Sequence, residues 1–160
     1  MFTTMRKSLL LTPALALMAA CASGGGGGGA PPPPAAGGAA PGGTTLRFSG
    51  QVLATGARQM RGSAGATTIG SETEVVVSIT GGASGGQHPW HLHRGACGSG
   101  GAIVGSAGAY PVLRPDAGGR ANETANLTVA LSRGQRYHVN IHESPQDLGN
   151  ILACAELAGS

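Results

Sequence analysis

All five histidines of this 160-residue chain fall in two short segments. One reads Q-H-P-W-H-L-H-R-G and holds His88, His91 and His93. The other reads Y-H-V-N-I-H-E-S and holds His138 and His142. A His-x-His pair in an extended segment puts both imidazoles on one face, about 7 Å apart along the backbone, because strand side chains alternate. Neutral imidazoles at that spacing can reach one metal ion. A third ring from a distant segment would complete a copper- or zinc-type site. His138 and His142 are separated by about 13 Å along a strand, so at most one of them can join that site.

Strands must position these rings, and the sequence favours strands. Glycine-rich turns separate short runs with alternation or β-branched residues. The candidates are Thr45 to Leu53, Ser63 to Ile69 (the weakest), Glu74 to Thr80, Pro89 to His93, Glu123 to Leu131, Gln135 to His142 and Ile151 to Leu157. Closely spaced strands of this kind predict an all-β sandwich or barrel of about seven to eight strands. No long amphipathic helical pattern is present in this part of the chain. Parity in Gln135 to His142 sends Tyr137, Val139 and Ile141 to the core. It sends His138, Asn140 and His142 outward or into a cleft. Trp90 is expected to pack in the core and His138 to lie at the surface. Gly95 to Gly119 is too long and too rich in small residues for a strand, and loops of that length are usually functional or pinned.

The N-terminal part has a different character. Arg6 and Lys7 precede a short apolar run, Leu9 to Leu17, too short to span a bilayer. Leu17-Met18-Ala19-Ala20-Cys21 follows. This resembles the lipobox of bacterial lipoproteins, with Met18 where leucine is usual. The resemblance implies a signal peptide over 1–20, lipidation of Cys21, and a protein anchored in the cell envelope, at the periplasmic face of the outer membrane or at the cell surface. Residues 21–43 are nearly all Gly, Ala and Pro and cannot build a core, so they read as a tether. Residues 44–160 suffice for one domain. Excluding Arg6 and Lys7, eight arginines face seven acids, a net charge of about +1. With no basic run and few aromatics, nucleic acid is not an expected partner. Cys97 and Cys154 are two thiols in an exported domain and are expected to pair, the alternative being a thiolate metal ligand.

The arrangement of these residues resembles the copper/zinc superoxide dismutase family. H-P-W-H-L-H-R-G-A-C-G is followed about fifty residues later by V-N-I-H-E-S-P-Q-D-L-G-N and then by L-A-C-A-E-L. The resemblance covers the domain from about Thr45 to Leu157. It implies a Greek-key β-barrel or sandwich, with His91, His93 and His142 as copper ligands. His88 is implied as a supporting histidine behind the site, and Cys97–Cys154 as the family's disulfide.

The departures from the family pattern also carry information. Ile103 stands where the family's bridging histidine is expected, Gln146 near its metal-linking aspartate, and Ile151 at its anion-guiding arginine. The loop Ala102 to Gly119 holds no histidine. Asp116 falls near the zinc aspartate but makes no zinc site alone, so one copper ion and no zinc is the expectation. The resemblance thus implies a copper-binding envelope lipoprotein with weak superoxide dismutation, or one that binds or buffers copper without turnover. A structural module with a vestigial site is the third possibility. Multicopper oxidases need further histidine motifs that five histidines cannot supply. Cupins need a glutamate where Cys97 and Gly98 stand.

Overall fold

The computed structural model describes residues 44–160. The expected signal peptide, the lipidation site Cys21 and the tether fall outside the described residues. Among those described there is no α-helix. Seven strands form one antiparallel sheet: β1 (Thr45–Ala54), β2 (Arg61–Ile69), β3 (Glu72–Thr80), β4 (Trp90–Arg94), β5 (Ala121–Leu127), β6 (Tyr137–Ser144) and β7 (Asp147–Gly159). Their order is β4-β6-β7-β1-β2-β3-β5, and the sheet curls into a half-barrel.

Alternation builds the concave side. In β3, Thr73, Val75, Val77 and Ile79 are buried while Glu72, Glu74 and Thr80 are exposed. β1 contributes Phe48 and Val52, and β2 contributes Ala64, Ala66 and Thr68. Each fully buried valine or isoleucine contributes about 1.5–3 kcal/mol. Gly70, at φ 61°, makes the tight β2–β3 turn that keeps these rows in register. Trp90 is fully buried, as its place in the sequence predicted. Its indole N–H donates to the Pro111 carbonyl at 2.6 Å.

The strand boundaries differ from expectation in instructive ways. The weak candidate from Ser63 is a full strand paired along its length with both β1 and β3. The strand expected over Glu123 to Leu131 ends at Leu127. Beyond it, Thr73 Oγ1 donates to the Val129 carbonyl, so this stretch is held by a side chain. The last strand begins at Asp147, because Ser144 and Asp147 pair to make a tight β6–β7 hairpin. Asp147 fixes its far side by accepting from the Asn150 N–H.

The long segment 95–119 is pinned, as expected. Cys97 and Cys154 form a disulfide with Cα atoms 6.1 Å apart. The segment also follows the free edge of β4. Arg94 N–H donates to the Ala102 carbonyl, Val104 N–H to that of Leu92, and His88 and Leu113 exchange a pair of bonds. Its only regular element is a short 3-10 turn at Ala107–Ala109.

Candidate metal centre

β4 and β6 are antiparallel neighbours with Trp90 opposite Ile141, His91 opposite Asn140, Leu92 opposite Val139 and His93 opposite His138. Alternation then sorts the two faces. Trp90, Leu92, Tyr137, Val139 and Ile141 enter the core. His91, His93, His138, Asn140 and His142 share the other face. That face is not open to solvent: these five residues are between 0 and 9% exposed. The cleft reading of the polar face therefore holds. His138 departs from the sequence expectation, because it is fully buried rather than at the surface.

A β-bulge lies beside the third histidine. β6 pairs regularly with β7 through Ile141, then slips so that His142 lies opposite Ile151 and Leu152 is skipped. Bulges re-aim a side chain and increase local twist. Here the extra residue is Leu152, on the β7 strand opposite His142. One ring nitrogen from each of His91, His93 and His142 lies within 4.8 Å of the others, a set that could hold a metal ion. The ring centroids are 5.9 Å apart for His91–His93, 5.3 Å for His91–His142 and 6.4 Å for His93–His142. His91 Nδ1 and His142 Nε2 approach to 3.3 Å.

Backbone carbonyls set the tautomers. A carbonyl only accepts, so a ring nitrogen bonded to one must carry the proton. His93 Nδ1–H donates to the Gly101 carbonyl at 2.8 Å. Its Nε2 is therefore left as a lone pair, buried and without a partner. A histidine that ligates a metal through one nitrogen commonly donates its other N–H in this way. His138 Nδ1–H likewise donates to Gly95 at 3.0 Å, and its ring stacks on His93 at 5.1 Å with a 17° tilt. It lies outside the three-nitrogen set. His88 sits behind the site and makes no part of that set. Its Nδ1 donates to the carbonyls of Glu143, at 2.9 Å, and His142, at 3.2 Å, so it holds the backbone that carries His142.

Burial keeps these rings neutral. It lowers His91 to about 4, helped by repulsion from His142 and His93 in their charged forms. Burial lowers His93 against the raising pull of the Gly101 carbonyl, and His138 adds to the lowering. Burial also lowers His142, opposed by the Leu148 carbonyl, and His93 adds to the lowering. Beside His91, Tyr110 packs edge-on at 5.3 Å and donates its hydroxyl proton to the Val104 carbonyl. Burial pushes that hydroxyl up to about 12, so it stays protonated.

The positions that depart from the family pattern have other occupations. Ile103 bridges β4 opposite His93 and packs against the apolar core. Asp116 accepts from Gly118 N–H and Arg120 N–H and so closes a turn. Gln146 is exposed at the hairpin tip. The Ile151 carbonyl accepts from the Thr55 hydroxyl. Glu143 pairs with Arg58 at 2.9 Å, an exposed contact worth at most about 1 kcal/mol.

Sequence reasoning did not find the ring-orienting carbonyls of Gly95 and Gly101, because every residue has a carbonyl. One trace of the second exists in the glycine itself. A Cβ at position 101 would collide with the Arg94 carbonyl. No protein-family model matches the chain, and no curated protein matches it in sequence.

Proposed function

We propose that this domain is a superoxide dismutase-like copper-binding domain of an envelope lipoprotein, with copper held by His91, His93 and His142 and superoxide turned over weakly. The observation that carries this reading is the convergence of three ring nitrogens within 4.8 Å on buried, neutral imidazoles. The unpartnered Nε2 of His93 fits a metal better than it fits an empty core. Three imidazoles with no thiolate or carboxylate suit copper, which tops the divalent affinity order. The disulfide removes both domain cysteines from competition as ligands. The strand order supports a Greek-key arrangement, since β4 and β5 lie on opposite edges and β6 returns beside β4. The lipobox-like segment ending in Cys21 supports the envelope location and membrane attachment.

Copper, when bound, supplies the one-electron couple that dismutation needs. The protein's part is to hold three lone pairs toward one point, with His93 fixed by Gly101 and the His142 backbone fixed by His88. It offers no histidine at Ile103 and no arginine at Ile151. Proton delivery and anion guidance are therefore weak, and this favours slow turnover or copper binding without turnover. Zinc has no second cluster to occupy among the described residues.

Titration with Cu(II), followed by electron paramagnetic resonance, tests the reading. One copper per chain with nitrogen hyperfine coupling is expected, and a His91→Ala, His93→Ala double variant is expected to lose it. No nitrogen coupling in the parent protein would sink the proposal. A superoxide-decay rate no better than that of free aqueous copper would leave a binding protein in place of an enzyme. Two metals per chain on elemental analysis would overturn the single-site reading.

A further inference from the structure

One polar side chain at the centre of the histidine face has no partner. Asn140 lies on β6 directly across from His91. His138 and His142 flank it on its own strand, and His93 lies diagonally across. The line from His93 to His142 therefore passes over the rung made by His91 and Asn140. Asn140 is 5% exposed, and its Oδ1 is buried without a hydrogen-bond partner. Asparagine is disfavoured in strands, and β6 is an interior strand between β4 and β7. An unpaired buried amide oxygen adds a cost of its own. A valine or leucine would suit the strand better, so local structure gives no reason for the residue.

No donor is hydrogen-bonded to this oxygen. The Nδ1–H groups of His93 and His138 are engaged by Gly101 and Gly95. Their Nε2 atoms, like Asn140 Oδ1, are acceptors left over. Three acceptors on this face are thus left without a donor, and a cation is what such a set lacks. His138 lies outside the set of ring nitrogens within 4.8 Å of one another.

We propose that Asn140 Oδ1 is the fourth donor to a metal ion held by His91, His93 and His142. This rests on the three-histidine reading and extends it. A neutral amide oxygen is a harder donor than imidazole. It favours Cu(II) over Cu(I) and does so without a group that must first lose a proton.

The test is Cu(II) titration, with paramagnetic resonance spectra, of the parent protein and of the Asn140→Leu and Asn140→Asp variants. Asn140→Leu is expected to weaken Cu(II) at least tenfold and to change the parallel hyperfine splitting. The same variant without metal is expected to melt higher than the parent, because an unpaired buried amide is gone. These opposite signs separate a ligand from a merely structural residue. Asn140→Asp is expected to bind Cu(II) more tightly. A leucine variant with the parent's affinity and spectrum would overturn the assignment, and so would one that melts lower without metal. Should the leucine variant not fold, an aspartate variant with an unchanged spectrum would overturn it. Failure of the three-histidine reading looks different: the parent protein itself would then show no nitrogen coupling.

Discussion

Three imidazoles bind a metal only when their lone pairs are free of protons, and burial secures this at the level of the residue. His91 titrates at about 4 in the fold and near 6.5 as a free side chain. On acidification the unfolded chain takes up this proton first. The stability tied to His91 is therefore present above pH 6.5 and is lost as the pH falls through 6.5 toward 4. His93 and His142 shift in the same direction and add to the effect. The melting temperature of the metal-free protein is expected to fall across that window and to be flat above it. A flat profile down to about pH 5 would show that the rings titrate as they do in water. Copper retention is expected to persist at about pH 5.5, where an exposed histidine peptide has largely protonated. Dialysis against a chelator across the same pH series measures it.

At the scale of elements, two local irregularities border the site. The β7 bulge at Leu152 lies opposite His142, and the turn 95–101 fixes His93 through the Gly101 carbonyl. That turn is clasped on both sides. Cys97 N–H donates to the Glu156 carboxylate at 2.6 Å, and Gly95 N–H donates to the Arg136 carbonyl at 2.8 Å. Gly101→Ala would drive a methyl group into the Arg94 carbonyl. The expected cost is about 1–3 kcal/mol of stability, with a roughly tenfold to hundredfold loss of metal affinity. Thermal melts with and without Cu(II) distinguish the two effects. A variant that melts lower but keeps its copper affinity would show that the Gly101 carbonyl does not orient His93.

Across the whole molecule, the disulfide joins the site's turn to the sheet. Cys154 sits on β7 directly opposite Asn140, so the bond ties the 95–101 turn to the rung beside the histidines. It closes a separation of 57 residues, worth about 4 kcal/mol in the chain-entropy model. Reduction, or a Cys97→Ser, Cys154→Ser double variant, is expected to lower stability by about that amount. Copper affinity is expected to fall with it, because Gly101 is then less firmly held. An unchanged melting temperature after complete reduction, checked by thiol counting, would refute this.

By itself the sequence determined the periodic features. Alternation in V-V-V-S-I and in Y-H-V-N-I-H fixed which side chains enter the core and which share the histidine face. His-x-His fixed two rings on that face, and cysteine parity favoured the bond. The resemblance to the dismutase family then pointed to His142 as the third ring and His88 as its support. These features were legible because they are local or are carried by residue type. What only the tertiary structure decided depends on contacts between distant segments. His138 reads as a surface residue in a polar row, yet the Gly95 turn and the His93 ring bury it. The β6–β7 hairpin and its bulge depend on a register that alternation does not encode. The place of Asn140, opposite His91 and with no donor hydrogen-bonded to its oxygen, follows from strand pairing alone: two segments about fifty residues apart meet rung by rung, and the polar side of each becomes the interior of the site.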